Sequence, residues 1–132
     1  MARAPDRLPV TIVAGYLGAG KTTLINRMLS ANPDRKMTVM VNDFGAINID
    51  ARLIESRRGG VMQLANGCIC CSIQGDLKVQ LRELLQTPDR PDHLASETSG
   101  ASDPARVAAV LQHPGLKEAT RIDAIVTLVD LG

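Results

Sequence analysis

Residues 66–77 of this 132-residue chain, NGCICCSIQGDL, hold all three of its cysteines: Cys68, Cys70 and Cys71. Thiolates are soft ligands for Zn²⁺ or Co²⁺, so Cys68 and Cys70 are candidate ligands to one ion, with Cys71 near but sterically awkward. Three thiolates would leave tetrahedral zinc one open position, which suits an ion that is passed on. Neither His93 nor His113 stands at ligand spacing to the cluster, and each is read as a surface or packing residue. A buried thiol cluster and a redox pair are the other readings of the same residues. A disulfide between Cys70 and Cys71 would close a strained ring.

The second chemical stretch is GYLGAGKT, residues 15–22, which matches G-x-x-x-x-G-K-[ST]. Gly15, Gly18 and Gly20 let the backbone curl, with Ala19 in the same cradle, until N–H groups point at phosphate oxygens. Lys21 would reach the β- and γ-phosphates, the Thr22 hydroxyl would ligate Mg²⁺, and Thr23 could bond the α-phosphate. The plainer reading is a glycine-rich turn followed by an exposed lysine. The flanks favour the cradle, because it needs a strand before it and a helix after it.

Those flanks are legible. LPVTIVA (8–14) is a β-branched apolar run ending at Gly15, read as a buried strand, and KTTLINRMLSANP places Leu24, Ile25, Met28 and Leu29 on one helical face. MTVMVND (37–43) is a second strand; FGAINIDARLIES mixes turn signals with alternation, and SRRGG is read as a turn. VMQLANG (61–67) is a short strand delivering the chain to the cysteines. From about Ser72, Ile73, Leu77, Leu81, Leu84 and Leu85 repeat at helical spacing until TPDRP. The thiols are therefore expected at a strand-to-helix junction, where a helix N-terminus would favour their ionised form. DHLASE (92–97) is a weaker strand, TSGASD a turn, and a helix capped by Asp103 with Pro104 in its first position ends near QHPG. RIDAIVTLVD (121–130) is a strongly apolar strand. Alternating strands and amphipathic helices predict an α/β fold with a parallel sheet covered on both faces.

Glu97 and Asp43 stand at the carboxyl ends of predicted strands, where open parallel sheets bind ligands, although each could also be a solvated loop acid. Fifteen basic and fourteen acidic residues leave a net charge of +1, which gives no global attraction to nucleic acid or an anionic membrane. No apolar run approaches the roughly 20 residues of a membrane span, and MARAPDRLPV lacks the apolar middle of a secretory signal, so a cytoplasmic protein is expected. Aromatic residues make up 2%, so the core must be aliphatic.

Taken together, GYLGAGKTT, VNDFGAINID, NGCICC, ETSGASDP and IVTLVD resemble the CobW-type family of P-loop GTPases, which includes cobalamin-biosynthesis proteins, nitrile hydratase activators and zinc chaperones. The likeness runs from about Leu8 to Asp130. It implies a three-layer, mostly parallel P-loop NTPase sheet that binds Mg·GTP. It also implies that Cys68, Cys70 and Cys71 ligate a transition metal, Zn²⁺ or Co²⁺, and that hydrolysis is coupled to handing the metal to a client metalloprotein. On the same resemblance Glu97 acts near Mg²⁺ or the attacking water, the Gly100 N–H senses the γ-phosphate, and Asp43 occupies an acidic switch position.

The chain departs from the family pattern at Ala95 and Ser96, where relatives usually carry bulky apolar residues, and this should weaken the packing of that strand. It also stops before the Asn-Lys-x-Asp element that recognises guanine, so residues 1–132 are expected to be one partial GTPase domain, its C-terminal part missing, with residues 1–7 a flexible N-terminus. Its residues alone do not separate GTP from ATP. The rival functions are a non-hydrolysing metal-binding or partner-binding module and an ATP-dependent phosphotransferase.

Overall fold

Among the described residues, seven strands form one sheet in the order β3-β4-β5-β2-β6-β1-β7. The computed structural model describes residues 7–15, 20–31, 36–41, 51–59, 61–64, 67–73, 76–87, 90–98 and 103–128. Strands β1 (Leu8–Gly15), β2 (Met37–Val41), β5 (Ile69–Ser72), β6 (His93–Glu97) and β7 (Thr120–Leu128) run parallel, as the alternation with helices requires. Strands β3 (Ile54–Arg58) and β4 (Val61–Leu64) add an antiparallel hairpin beside β5. Helix α1 (Lys21–Ala31) lies on one face, and α2 (Leu77–Gln86) and α3 (Asp103–Leu111) on the other.

Strand alternation divides the core into two clusters. Val39, Val41, Cys68, Cys70 and Ala95 pack under Ile25 and Leu29 of α1. Val10, Ile12, Met40 and Leu94 pack under Leu81 of α2 and Val107 and Leu111 of α3. Each fully buried Leu or Ile contributes about 1.5–3 kcal/mol of transfer free energy, so the two aliphatic layers hold the sheet in place without aromatics.

Three local expectations change. SRRGG is not wholly a turn: Ser56, Arg57 and Arg58 continue β3, and the chain reverses at Gly59, whose φ of +59° a side chain would strain. The helix after the cysteines begins at Leu77 rather than Ser72, because the Ile73 N–H donates to Val41 O at 2.7 Å and keeps the backbone in the sheet. Asp76 then caps the helix, its carboxylate accepting from the Lys78 N–H at 2.9 Å. Finally, the strand that reads as weak, β6, is central and buried between β2 and β1. Its small Ala95 and Ser96 depress the sequence signal but fit a position covered on both sides.

Ser96 sits between Ile12 and Met40 in the sheet, is 2% exposed, and its hydroxyl has no hydrogen-bond partner among the described residues. A buried unpaired hydroxyl costs about 1–3 kcal/mol, so Ser96→Ala is expected to stabilise the chain by about 1 kcal/mol. That is a rise of a few degrees in thermal midpoint by calorimetry, and a lower midpoint would show the hydroxyl to be bonded.

The outer edge strand β7 leaves Ile122 and Ile125 at 37% and 52% exposure. No helix among the described residues is long and apolar enough to cross a membrane.

Candidate nucleotide and metal site

The phosphate-loop residues lie where β1 hands over to α1. Gly15, the last residue of β1, has φ +137°, and Gly20 has φ +94°. A Cβ at Gly20 would meet nothing within 4 Å, so glycine is required there by backbone conformation and not by space. The first bond of α1 runs from the Leu24 N–H to Gly20 O at 3.0 Å. The N–H groups of the first turn therefore have no partner within the helix, and the positive end of its dipole lies there. Lys21, Thr22 and Thr23 occupy that turn, and Thr23 is exposed. Gly18 and Ala19 lie outside the described residues, as do Asp43 and Gly100.

Glu97 ends β6, the strand that pairs with β1. It is paired in register with Val13 of β1, and the Thr98 N–H donates to Val13 O at 2.8 Å. Glu97 is 2% exposed, so a carboxylate is buried at the carboxyl end of β6, level with Val13 and two residues short of Gly15 on β1. By alternation it shares the α1 face with Ala95. Sequence reasoning missed Thr98, whose backbone ties the ends of β6 and β1 together; the signal available was its place inside ETSG.

The cysteines are distributed by β5. In the parallel ladder Cys70 pairs with Val39 and Cys71 with Met40. Successive side chains on a strand take opposite faces, so Cys68 and Cys70 pack in the α1 cluster while Cys71 packs in the α2/α3 cluster. The Cys68 sulfur accepts the Met37 N–H at 3.4 Å. Among the described residues no three His, Cys, Asp or Glu side chains are grouped to hold a metal ion. His93 bonds across the sheet to the Thr11 hydroxyl at 2.7 Å, in keeping with a packing role.

The expectation that a helix N-terminus ionises the thiols is corrected. With α2 starting at Leu77, burial dominates: it pushes the Cys70 thiol up to about 12, the charges of Cys71 and Glu97 adding to the rise, and burial alone takes Cys71 up to about 11. Against an ordinary value of 9.0, the folded chain holds both protons to higher pH than the unfolded chain. Their contribution to stability is thus fully present below about pH 9 and is lost as pH rises through the folded values. At pH 8 the thiolate fraction falls by about a hundredfold for Cys71 and about a thousandfold for Cys70. The metal-free chain is expected to react with iodoacetamide at least about a hundredfold more slowly at these two thiols than the urea-unfolded chain. Equal rates, read by mass spectrometry, would show the thiols to be ionised.

Two positive-φ glycines, Gly15 and Gly20, thus bracket the passage from β1 to the N-terminus of α1, and a buried carboxylate ends the neighbouring strand. Residues 9–132 match the nucleotide-binding domain of CobW, HypB and UreG. The chain belongs to that family. Within it, the zinc chaperone CobW of Pseudomonas aeruginosa is 40% identical over 94% of this chain and 36% of its own length. The zinc-regulated GTPase metalloprotein activator 1 of Dictyostelium discoideum is 37% identical over 97% of this chain and 31% of its own. The Zn(II)-bound YjiA GTPase of E. coli superposes with a TM-score of 0.69 at 34% identity, over 92% of this chain and 40% of that one. This CobW-family chain thus spans about a third of the length of the curated relatives it matches. The fold matches the P-loop GTPase neighbours, and the mostly parallel sheet expected from the sequence is the one observed.

Proposed function

We propose that this chain is the N-terminal part of the GTPase domain of a cytoplasmic, GTP-dependent zinc chaperone, one that takes Zn²⁺ as cargo through its cysteine segment and couples GTP hydrolysis to passing the ion to a client metalloprotein. The observation that carries the reading is the position of Glu97. It is buried at the carboxyl end of β6, paired with Val13 of the strand that leads into the glycine loop, and by alternation lies on the α1 face that also holds Cys70.

In this reading Gly15, Gly18, Ala19 and Gly20 cradle the phosphates with backbone N–H groups, and Lys21 places a cation against the β- and γ-phosphates. Thr23 bonds the α-phosphate. Thr22 and Glu97 would hold Mg²⁺, which supplies neutralisation of the phosphate charge when bound; a buried carboxylate at the end of the strand beside β1 suits such an ion. Glu97 also orients the attacking water, while Asp43 and Gly100 belong to segments that respond to the γ-phosphate. Binding the cargo ion displaces the protons that burial holds on Cys70 and Cys71. Cys68, Cys70 and Cys71 then act together as thiolate ligands. Because Cys71 starts on the opposite face, cargo binding requires local rearrangement of β5. Zinc is favoured over cobalt by the cargo named for the relatives.

The test is Mg·GTP turnover by phosphate release. Glu97→Gln, which keeps the shape and removes the charge, is expected to lower turnover by about tenfold to a hundredfold. Undiminished turnover would remove Glu97 from the site.

A further inference from the structure

At the end of the sheet opposite the phosphate loop, the amino ends of β1 and β7 and the last turn of α3 enclose a cleft of about 270 Å³. Three cations from three separate segments converge on it: Arg7 just before β1, Lys117 in the connection after α3, and Arg121 in β7. Its apolar lining is Leu111 and Ile122. Asp123 takes one N–H of Arg121 at 2.9 Å, and the Glu118 carboxylate accepts the Gly115 N–H, while Arg7 and Lys117 have no ion-pair partner among the described residues. The cleft thus keeps an excess of positive charge in a chain whose net charge is only +1.

We infer that this cleft is a docking site for an acidic, partly apolar segment of a partner protein. All three cations are exposed, and an exposed cation binds a single small anion weakly in salt water. Affinity must come from several carboxylates held at once, with apolar side chains against Leu111 and Ile122. A guanidinium fork can engage a carboxylate with two parallel bonds, and Arg121 still has donors beyond the one given to Asp123. The confined, partly apolar lining favours a peptide over a nucleic-acid backbone, which needs an extended basic track. The eight residues of β1 put the cleft roughly 25 Å from the phosphate loop, so a docked partner leaves the nucleotide end open. This inference is independent of the nucleotide and metal assignments.

The experiment is fluorescence anisotropy of a labelled peptide of alternating glutamate and leucine titrated with the chain at about 50 mM and about 300 mM salt. Binding is expected at low salt and weakening at high salt. Arg7→Glu combined with Lys117→Glu is expected to lower affinity by at least about tenfold, and Lys117→Glu alone by about threefold, with unchanged thermal midpoints. Arg57→Glu combined with Arg58→Glu, the same charge change on β3, should leave affinity within about twofold. Equal loss from both pairs, absence of binding at low salt, displacement of the peptide by millimolar inorganic phosphate, or tighter binding of an oligouridylate with the same sensitivity to Lys117 would each overturn the proposal.

Discussion

Replacing Lys21 with alanine is expected to lower GTP turnover by at least about a hundredfold and to leave the thermal midpoint nearly unchanged. Lys21 is the first residue of α1, immediately after Gly20 at φ +94°, and so stands where the loop backbone turns into the helix. Backbone N–H groups and the helix dipole supply only partial charges, equivalent to about half an elementary charge at the N-terminus. A triphosphate needs a full cation at the β- and γ-phosphates as charge shifts in the transition state, and among the loop residues 15–22 only Lys21 carries one. The variant should also lose any dependence of metal affinity on nucleotide, because the state of the γ-phosphate is no longer read. Single-turnover phosphate release with saturating Mg·GTP checks this, and full turnover in Lys21→Ala would place the chemistry elsewhere.

The second large effect concerns the thiols. Cys70→Ser is expected to weaken Co²⁺ or Zn²⁺ binding by at least about a hundredfold, since a serine hydroxyl is a poor substitute for a soft thiolate. Cys71→Ser is expected to do the same, although Cys71 lies across the sheet from Cys68 and Cys70 in the arrangement seen here. Both can be required only if β5 rearranges. Amide exchange of residues 69–73 should therefore change on metal addition while the β1 and β6 amides, paired between Val10 and Glu97, stay protected. If Cys71→Ser binds metal as tightly as the unaltered chain, the ion uses only the α1 face, with Cys68 and Cys70.

Much of this was readable from residue order. Three β-branched or aliphatic runs separated by amphipathic helices announce a parallel sheet, and Gly15 and Gly20 announce a backbone that leaves ordinary φ values; both glycines take positive φ. Strand β6 was harder, because LAS carries little β propensity and its central position depends on neighbours distant in sequence: Val10–Val13 on one side and Met37–Met40 on the other. The SRR half of strand IESRR reads as a turn because its partner, β4, supplies the hydrogen bonds that its composition does not advertise. The facing of the cysteines was hidden for a related reason. Ile73 and Leu77 fit a helical period, which obscures the fact that Ile69–Ser72 is a strand and that its period of two sends Cys70 and Cys71 to opposite faces. Glu97 was legible as a strand-end acid, but its burial required β6 to be placed between β2 and β1.

The central claim is that nucleotide and metal communicate. The most direct measurement is a Co²⁺ titration of the reduced chain, followed by thiolate charge-transfer absorption, with Mg·GTP, with Mg·ATP and without nucleotide. The account predicts a thiolate band whose midpoint shifts with Mg·GTP and not with Mg·ATP. A band with the same midpoint in all three titrations would contradict it and leave a metal-binding module that takes no direction from nucleotide.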